Sequence, residues 1–386
     1  MRISIKTTSQ GEFIIKSAFV NFGERAEEVY FKFPITCAQD ITEFADPFAY
    51  ALIFLMMQRG GGEVYIDSPI TLSTMRNVER LSRLWSSWKP DRYKSITIKA
   101  EVAKDSLNPS DKLITAFSGG LDASYTAYKY KHNLDDIYKL EYDKSIMIFG
   151  ADIPLSDPDA FDRAFAVAKT MLDDLGVEII PIETNVRDYL NSWEDSFGSV
   201  VIGCLSFFSK AYGYGAASDS SIMNYHIPWG MNPITDQLFS SPLFYFISDG
   251  WDHSRTERAA LVRNWEVGLN NLRVCWENKD TSKNCGCCEK CIRTKLNFKA
   301  VGVDHMPSMP TDLSLTDFDN NKLVSSEHIL TFYKEACEYG KAHKTLDDEW
   351  IRVLERQITK WERTIRLKKF RKNLKKRLKG MVGPLF

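Results

Sequence analysis

Long apolar runs are missing from this chain. Its most apolar stretches, such as FAYALIFLMM ending at Met57, fall far short of the roughly 20 residues that a helical membrane span needs. No apolar leader of the secretory kind stands at the start. Internal repeats and low-complexity tracts are absent as well. With 44% hydrophobic residues among 386, the composition is not that of a disordered chain and is sufficient for two or three cores. Cysteine is scarce outside one segment: five of the eight, Cys275, Cys285, Cys287, Cys288 and Cys291, crowd together. That distribution argues against a disulfide framework and suits a metal site in a reducing compartment. Cys37, Cys204 and Cys337 are expected in cores. Together these absences predict a folded, multidomain, cytoplasmic protein.

Net charge is small too, at -1, but the sum hides an asymmetry. Lys360 to Lys379 holds eleven Lys and Arg against one acid, Glu362, which leaves about -11 on the rest of the chain by subtraction. Within that tail, Leu367, Phe370, Leu374 and Leu378 fall near one helical stripe. Such a helix suits an acidic partner, RNA phosphates or an anionic membrane surface; a solvated basic face is the plainer alternative.

What is present reads as alternation. Residues 1–110 predict an α+β unit. EFIIKSAFV and EEVYFKFPI are strands, DPFAYALIFLMMQ is a helix, EVYIDS a strand, STMRNVERLSRLW a helix and YKSITIKAEV a strand. After the polar linker KDSLNPSD, strands LITAF (Leu113 to Phe117), SIMIFGAD, VEIIPIE, YGAAS and LFYFIS interleave with helices. The helices begin near Leu121 and run through DAFDRAFAVAKTMLDDLG, VVIGCLSFFSKAYG and RTERAALVRNWEVGLNNL. Alternation at this spacing predicts a parallel sheet, whose ligands sit beyond the carboxyl ends of the strands.

One loop lies at such an end. In KLITAFSGGLDASYTAYKY a buried strand runs into Ser118-Gly119-Gly120 and then into a helix, so unpaired backbone N–H groups face outward as an anion site. The loop lacks the lysine of G-x-x-x-x-G-K-[ST] and does not follow G-x-G-x-x-G. Its S-G-G-L-D-A-S resembles the S-G-G-x-D-S signature of the PP-loop ATP pyrophosphatases, with Ala123 in place of the family's serine. The resemblance implies ATP and Mg²⁺ as ligands. Ser118, Gly119, Gly120, Leu121, Asp122 and Ser124 would hold the pyrophosphate end, and Asp122 would help to hold the metal.

The cysteines follow C-x9-C-x2-C-x2-C through Cys275, Cys285, Cys288 and Cys291, with Arg293 just after. Four thiolates with no water position make a closed Zn²⁺ site. Cys287 is a possible substitute for Cys288, and an iron-sulfur cluster is an alternative. A PP-loop followed by a lone Cys and then C-G-x-C-x-x-C-x-R is similar to 7-cyano-7-deazaguanine synthase (QueC-like proteins). Relatives of that family occur in bacterial antiphage-defence operons, where a protein amine is one candidate nucleophile.

Between the motifs, Asp219, His226 and Asp236 lie in a Gly/Pro-rich stretch, and Arg255 and Arg258 open a helix one turn apart. Asp219 stands where the resembled synthases carry an Asp after a strand, and the arginines suit phosphate or a carboxylate. Capping, turn or solvated-face roles are the alternatives. The expected architecture is α/β. It comprises an N-terminal α+β domain (1–110), a parallel-sheet PP-loop (HUP-like) domain (111–305) with a four-cysteine zinc module (275–293), and a helical C-terminus with the basic tail (306–386). The resemblance covers about residues 110–305. It implies carboxylate adenylation followed by amide or nitrile formation. A tRNA-modifying PP-loop thiolase and a non-catalytic nucleotide-binding module are the other readings.

Overall fold

A computed structural model describes residues 1–108, 110–134, 139–219, 228–275, 277–319 and 323–381, with side chains to Arg371. The chain is an α/β protein built on a ten-stranded, mostly parallel sheet. Its contacts divide it into two units. The first comprises Met1–Asp252, Asn271–Arg273 and Asp280–Ser282; the second comprises His253–Asn270, Val274–Lys279 and Lys283–Phe386. No helix among the described residues is long and apolar enough to cross a membrane.

The first unit opens with an antiparallel meander, β1 (Arg2–Gln10), β2 (Phe13–Phe22) and β3 (Arg25–Pro34). The short helices α1 (Asp46–Ala51) and α2 (Ile53–Gln58) follow, then β4 (Gly62–Ile66), β5 (Ile70–Thr71), α3 (Leu72–Trp88), β6 (Ile96–Lys99) and β7 (Val102–Ala103). β5 and β7 pair as a separate small ladder. Alternation of apolar residues turns Val29, Phe31 and Phe33 of β3 into the core, where Phe31 and Phe33 pack on Phe207. α3 starts where the Thr71 hydroxyl accepts the Thr74 N–H.

The second half of the unit is β8 (Lys112–Ala116), α4 (Leu121–Lys131), β9 (Glu141–Phe149), α5 (Pro158–Asp174), β10 (Glu178–Thr184), α6 (Trp193–Ser206), β11 (Tyr214–Ser218) and β12 (Tyr245–Asp249). These five strands are mutually parallel. The full order is β12-β11-β8-β9-β10-β3-β2-β1-β4-β6. The strands of residues 1–110 and those after the linker therefore share one sheet, joined where β10 runs antiparallel to β3.

α6 begins seven residues before the helix read from VVIGCLSFFSKAYG. Gly198 hides the start, since glycine ordinarily weakens a helix, and Gly203 lies within the stretch read as helical. Both serve close packing: a Cβ on Gly198 would lie 2.1 Å from the Gly230 oxygen, and one on Gly203 would lie 2.6 Å from the Ala51 Cβ and 2.9 Å from the Ala51 nitrogen. β1, whose sequence alternates polar with apolar residues only weakly, was not anticipated at all.

The second unit holds α7 (Arg255–Val262), α8 (Glu266–Asn271) as far as Asn270, α9 (Glu289–Ala300), α10 (Glu327–Ala342) and α11 (Asp348–Met381). The single helix expected over 255–272 is two, divided at a turn closed by Trp265 N–H to the Val262 oxygen. α7 is fixed by a reciprocal capping box between Ser254 and Glu257. Leu296 of α9, Tyr333 of α10, and Leu354 and Trp361 of α11 form this unit's core with Phe318.

Gly203→Val should destabilise the first unit by about 3 kcal/mol through overpacking against α1. Urea unfolding followed by tryptophan fluorescence and by far-UV circular dichroism measures the loss. An unchanged midpoint would show that the α1–α6 contact tolerates added volume.

Candidate functional site

Strand order positions the site. Numbered along the chain, the five parallel strands run third, second, first, fourth, fifth, so the order reverses between β8 and β11. Helices leave such a sheet in opposite directions on either side of the reversal, and a crevice opens beyond the strand ends there. The loop after β8 is Phe117 to Gly120, and the residue after β11 is Asp219. Thr115 pairs with Ala216. Carrying that register three residues on sets Asp219 level with Ser118.

The loop has the conformation its glycines permit. Gly119 lies at φ +76°, a left-handed value that residues with a side chain resist. Gly120 is the N-cap of α4 and supplies no side-chain cap to the first turn. Backbone N–H groups at this end, with the helix dipole behind them, suit a polyanion. Ser118 is exposed, Asp122 is half-buried, and Ser124 is buried with no hydrogen-bond partner for its Oγ. An orphaned hydroxyl in the first turn fits a site completed by a ligand oxygen. Asp122 and Asp219 are oxygen donors of the kind Mg²⁺ takes.

Two groups that sequence reasoning passed over hold this loop. The Arg273 N–H donates to the Gly119 oxygen at 2.8 Å, and its guanidinium donates to the Ser118 oxygen at 3.2 Å and the Thr281 oxygen at 3.0 Å. Arg163 secures the same strap, donating to Ser282 Oγ and pairing with Asp280, each at 3.2 Å. Below the loop, Asp249 at the end of β12 accepts from Thr126 Oγ1 at 2.6 Å and pairs with Lys129. Both ions of that pair are buried, so removing one would leave an uncompensated charge at a cost of about 3–5 kcal/mol. α4 is thus pinned over the end of the sheet.

Asp236 is buried and accepts from Asn232 N–H at 2.9 Å and Ser248 Oγ at 2.5 Å. Burial, reinforced by the charge of Asp219 and opposed by these hydrogen bonds, pushes its carboxyl up to about 7. Asp219 is also buried. His226 falls outside the described residues.

The remaining candidates belong to the second unit. Arg255 and Arg258 are buried there, contrary to a solvated face. Arg258 donates to the His253 oxygen, and the Arg255 guanidinium lies 5.7 Å from the centre of the Phe332 ring. Arg293 sits over the same ring at 4.3 Å and pairs with Glu289. His328 is held down at about 4 by burial and by the charges of Arg293 and Arg255.

Cys275, Cys285, Cys288 and Cys291 converge, with all four sulfurs within 4.8 Å of one another. Tetrahedral bonds of about 2.3 Å would set sulfurs about 3.8 Å apart. Here Cys275 and Cys288 are 3.6 Å apart, and Cys285 and Cys291 are 3.9 Å apart. The Cys288 N–H points at Cys285 Sγ and the Cys291 N–H at Cys288 Sγ, at 3.2 and 3.5 Å, and Cys288 caps α9. Burial pushes the Cys285 thiol up, but amides of Cys287 and Cys288 outweigh it and hold the group down at about 6. The donor set fits a metal such as zinc. Cys287 is exposed and stands outside the set, while Cys37, Cys204 and Cys337 are buried elsewhere.

No protein-family model, curated protein or solved structure matches the chain.

Two outcomes are expected. Purified protein should carry one zinc per chain by plasma mass spectrometry. Cys287→Ser should retain it and Cys288→Ser should lose it; equal retention in both would break the assignment of ligands. For Asp236, the unfolded carboxyl ionises from about pH 4, whereas the folded one keeps its proton to about pH 7. Rising pH therefore lowers stability across that window by at most about 1.4 kcal/mol per pH unit, with no further loss above it. Asp236→Asn should remove this slope in urea titrations at pH 4.5 and 7; parallel curves would refute it.

Proposed function

We propose that the chain is an ATP-dependent adenylating enzyme, a carbon–nitrogen ligase of the PP-loop kind similar to 7-cyano-7-deazaguanine synthase. One observation carries the reading: Ser118 to Ser124 follow β8 at the reversal of a parallel sheet, and Asp219 follows the neighbouring strand β11. A strand, a glycine loop and an uncapped helix start at that point suit the phosphates of ATP. The four-cysteine set is the second, separate support.

In this reading the substrate carboxylate oxygen attacks the α-phosphorus of ATP, and the bond to the bridging oxygen of pyrophosphate breaks. Backbone N–H groups from Gly119 to Asp122 and the hydroxyls of Ser118 and Ser124 receive the departing charge. Bound Mg²⁺, with Asp122 and Asp219 as donors, would neutralise phosphate charge. Arg273 positions the loop through the Ser118 and Gly119 carbonyls. A nitrogen nucleophile, ammonia or a protein amine, then displaces AMP from the acyl group. 7-Carboxy-7-deazaguanine is the acid that the resemblance points to. Zinc in the cysteine set would be structural, since four thiolates leave no open position. Arg255 and Arg258 are proposed as further anion-binding groups.

A tRNA-thiolating relative is the second reading, and its one favourable observation is Cys287, an exposed thiol 3.7 Å from Cys285 Sγ. A colourless protein whose Cys287→Ser variant keeps full activity would dismiss it.

Pyrophosphate and AMP should appear from ATP and Mg²⁺ in the presence of the acid, and Asp122→Asn should reduce the rate about 10²- to 10³-fold. Equal release by wild type and variant would remove the adenylation reading. ATP binding without release from any acid would favour a nucleotide-binding module.

A further inference from the structure

The last helix carries two apolar faces, and only one of them is used by its own unit. Leu354, Trp361 and Ile365 of α11 are buried in the core shared with α9 and α10. Ion pairs from Glu362 to Lys334 at 2.5 Å and from Lys369 to Glu327 at 2.6 Å hold the same side of α11 to α10. At 3.6 residues per turn, Leu367 and Phe370 lie about 200° and 140° around from Ile365, on the opposite side. They are 57% and 66% exposed, large values for side chains of this kind. In sequence, Leu374 and Leu378 continue the spacing of this outward stripe.

The flanks of the stripe are basic. Arg366 on one side and Arg371 and Lys368 on the other flank Leu367 and Phe370, and Arg363 precedes them on the same side, within a segment of eleven Lys and Arg against one acid. That charge opposes pairing with a second copy of the same helix, because like charges flanking an apolar seam repel. Nucleic-acid phosphates would account for the charge and leave the exposed Leu367 and Phe370 unexplained. A bilayer interface accounts for both. Acyl chains receive Leu and Phe on one face, while anionic headgroups attract Lys and Arg around it.

We propose that the distal part of α11, from Leu367 onward, is an interfacial helix that docks this protein on an anionic phospholipid surface. It is independent of the adenylation reading and does not require it.

The test is flotation of the full-length, zinc-loaded protein with vesicles of phosphatidylcholine alone and of phosphatidylcholine mixed with phosphatidylserine. Binding is expected to the mixed vesicles only, and to weaken with added salt. Leu367→Glu with Phe370→Glu should lower the partition coefficient by about tenfold or more. Both side chains are exposed, so an unchanged urea midpoint should certify the fold of the double variant. A Phe370→Trp probe should shift its emission to the blue on the mixed vesicles, reporting burial of that face. The proposal is overturned if the double variant floats like wild type or if the emission of the Phe370→Trp probe is indifferent to vesicles. It is also overturned if neither vesicle binds and a single-stranded RNA is retained equally by wild type and double variant.

Discussion

The first unit depends on a short antiparallel junction. β10 is the outer strand of the parallel set, and an open strand edge invites pairing with other chains. Here β3 covers it through Lys32 opposite Glu183 and Phe31 opposite Thr184. Side chains lengthen what the backbone begins. Lys32 pairs with Glu183 at 3.0 Å and the Tyr30 hydroxyl donates to the same carboxylate at 2.7 Å. Asn185 extends the ladder by accepting the Tyr30 N–H and donating to the Glu28 oxygen. Through this seam the meander of the first residues and the parallel strands share one core, and Phe31 and Phe33 reach Phe207 beyond α6. The seam lies within the sheet, two strands away from the reversal between β8 and β11.

The crevice is built by opposite means. Strand order opens it, and hydrogen bonds from distant parts of the chain give it shape. Arg273 approaches from one direction and the Asp249–Lys129 pair braces α4 from another. The loop itself stays conformationally simple, with one left-handed glycine and a helix start. The loop leaves backbone N–H groups at the start of α4 without a side-chain cap, and its sequence carries no lysine.

Legibility in the sequence followed the range of each interaction. The cysteine set could be read because its last three members fall within seven residues and the spacing itself encodes the geometry. YGAAS and the strand before Ser118 were readable because burial on both faces leaves a compact apolar run. The start of α6 is hidden, since Gly198 is there for a neighbour that a local reading does not see, the Gly230 carbonyl. Arg273 was missed for the same reason; its partner Ser118 is 155 positions away, and nothing near Arg273 marks it except its place before Cys275. Arg255 is likewise covered in part by Phe332 of α10, far along the chain.

The path of the chain through residues 252–283 has a consequence for how the chain can be divided. Between Asp252 and Lys283 the backbone changes unit five times. Asn271–Arg273 and Asp280–Ser282 belong to the first unit, while the cysteine-bearing stretches beside them belong to the second. No single break in the chain therefore delivers both units whole. A fragment ending before His253 lacks the arginine that clasps the Ser118 loop, and one beginning there carries two orphaned straps. Each unit is therefore assembled from stretches that are not contiguous in the chain.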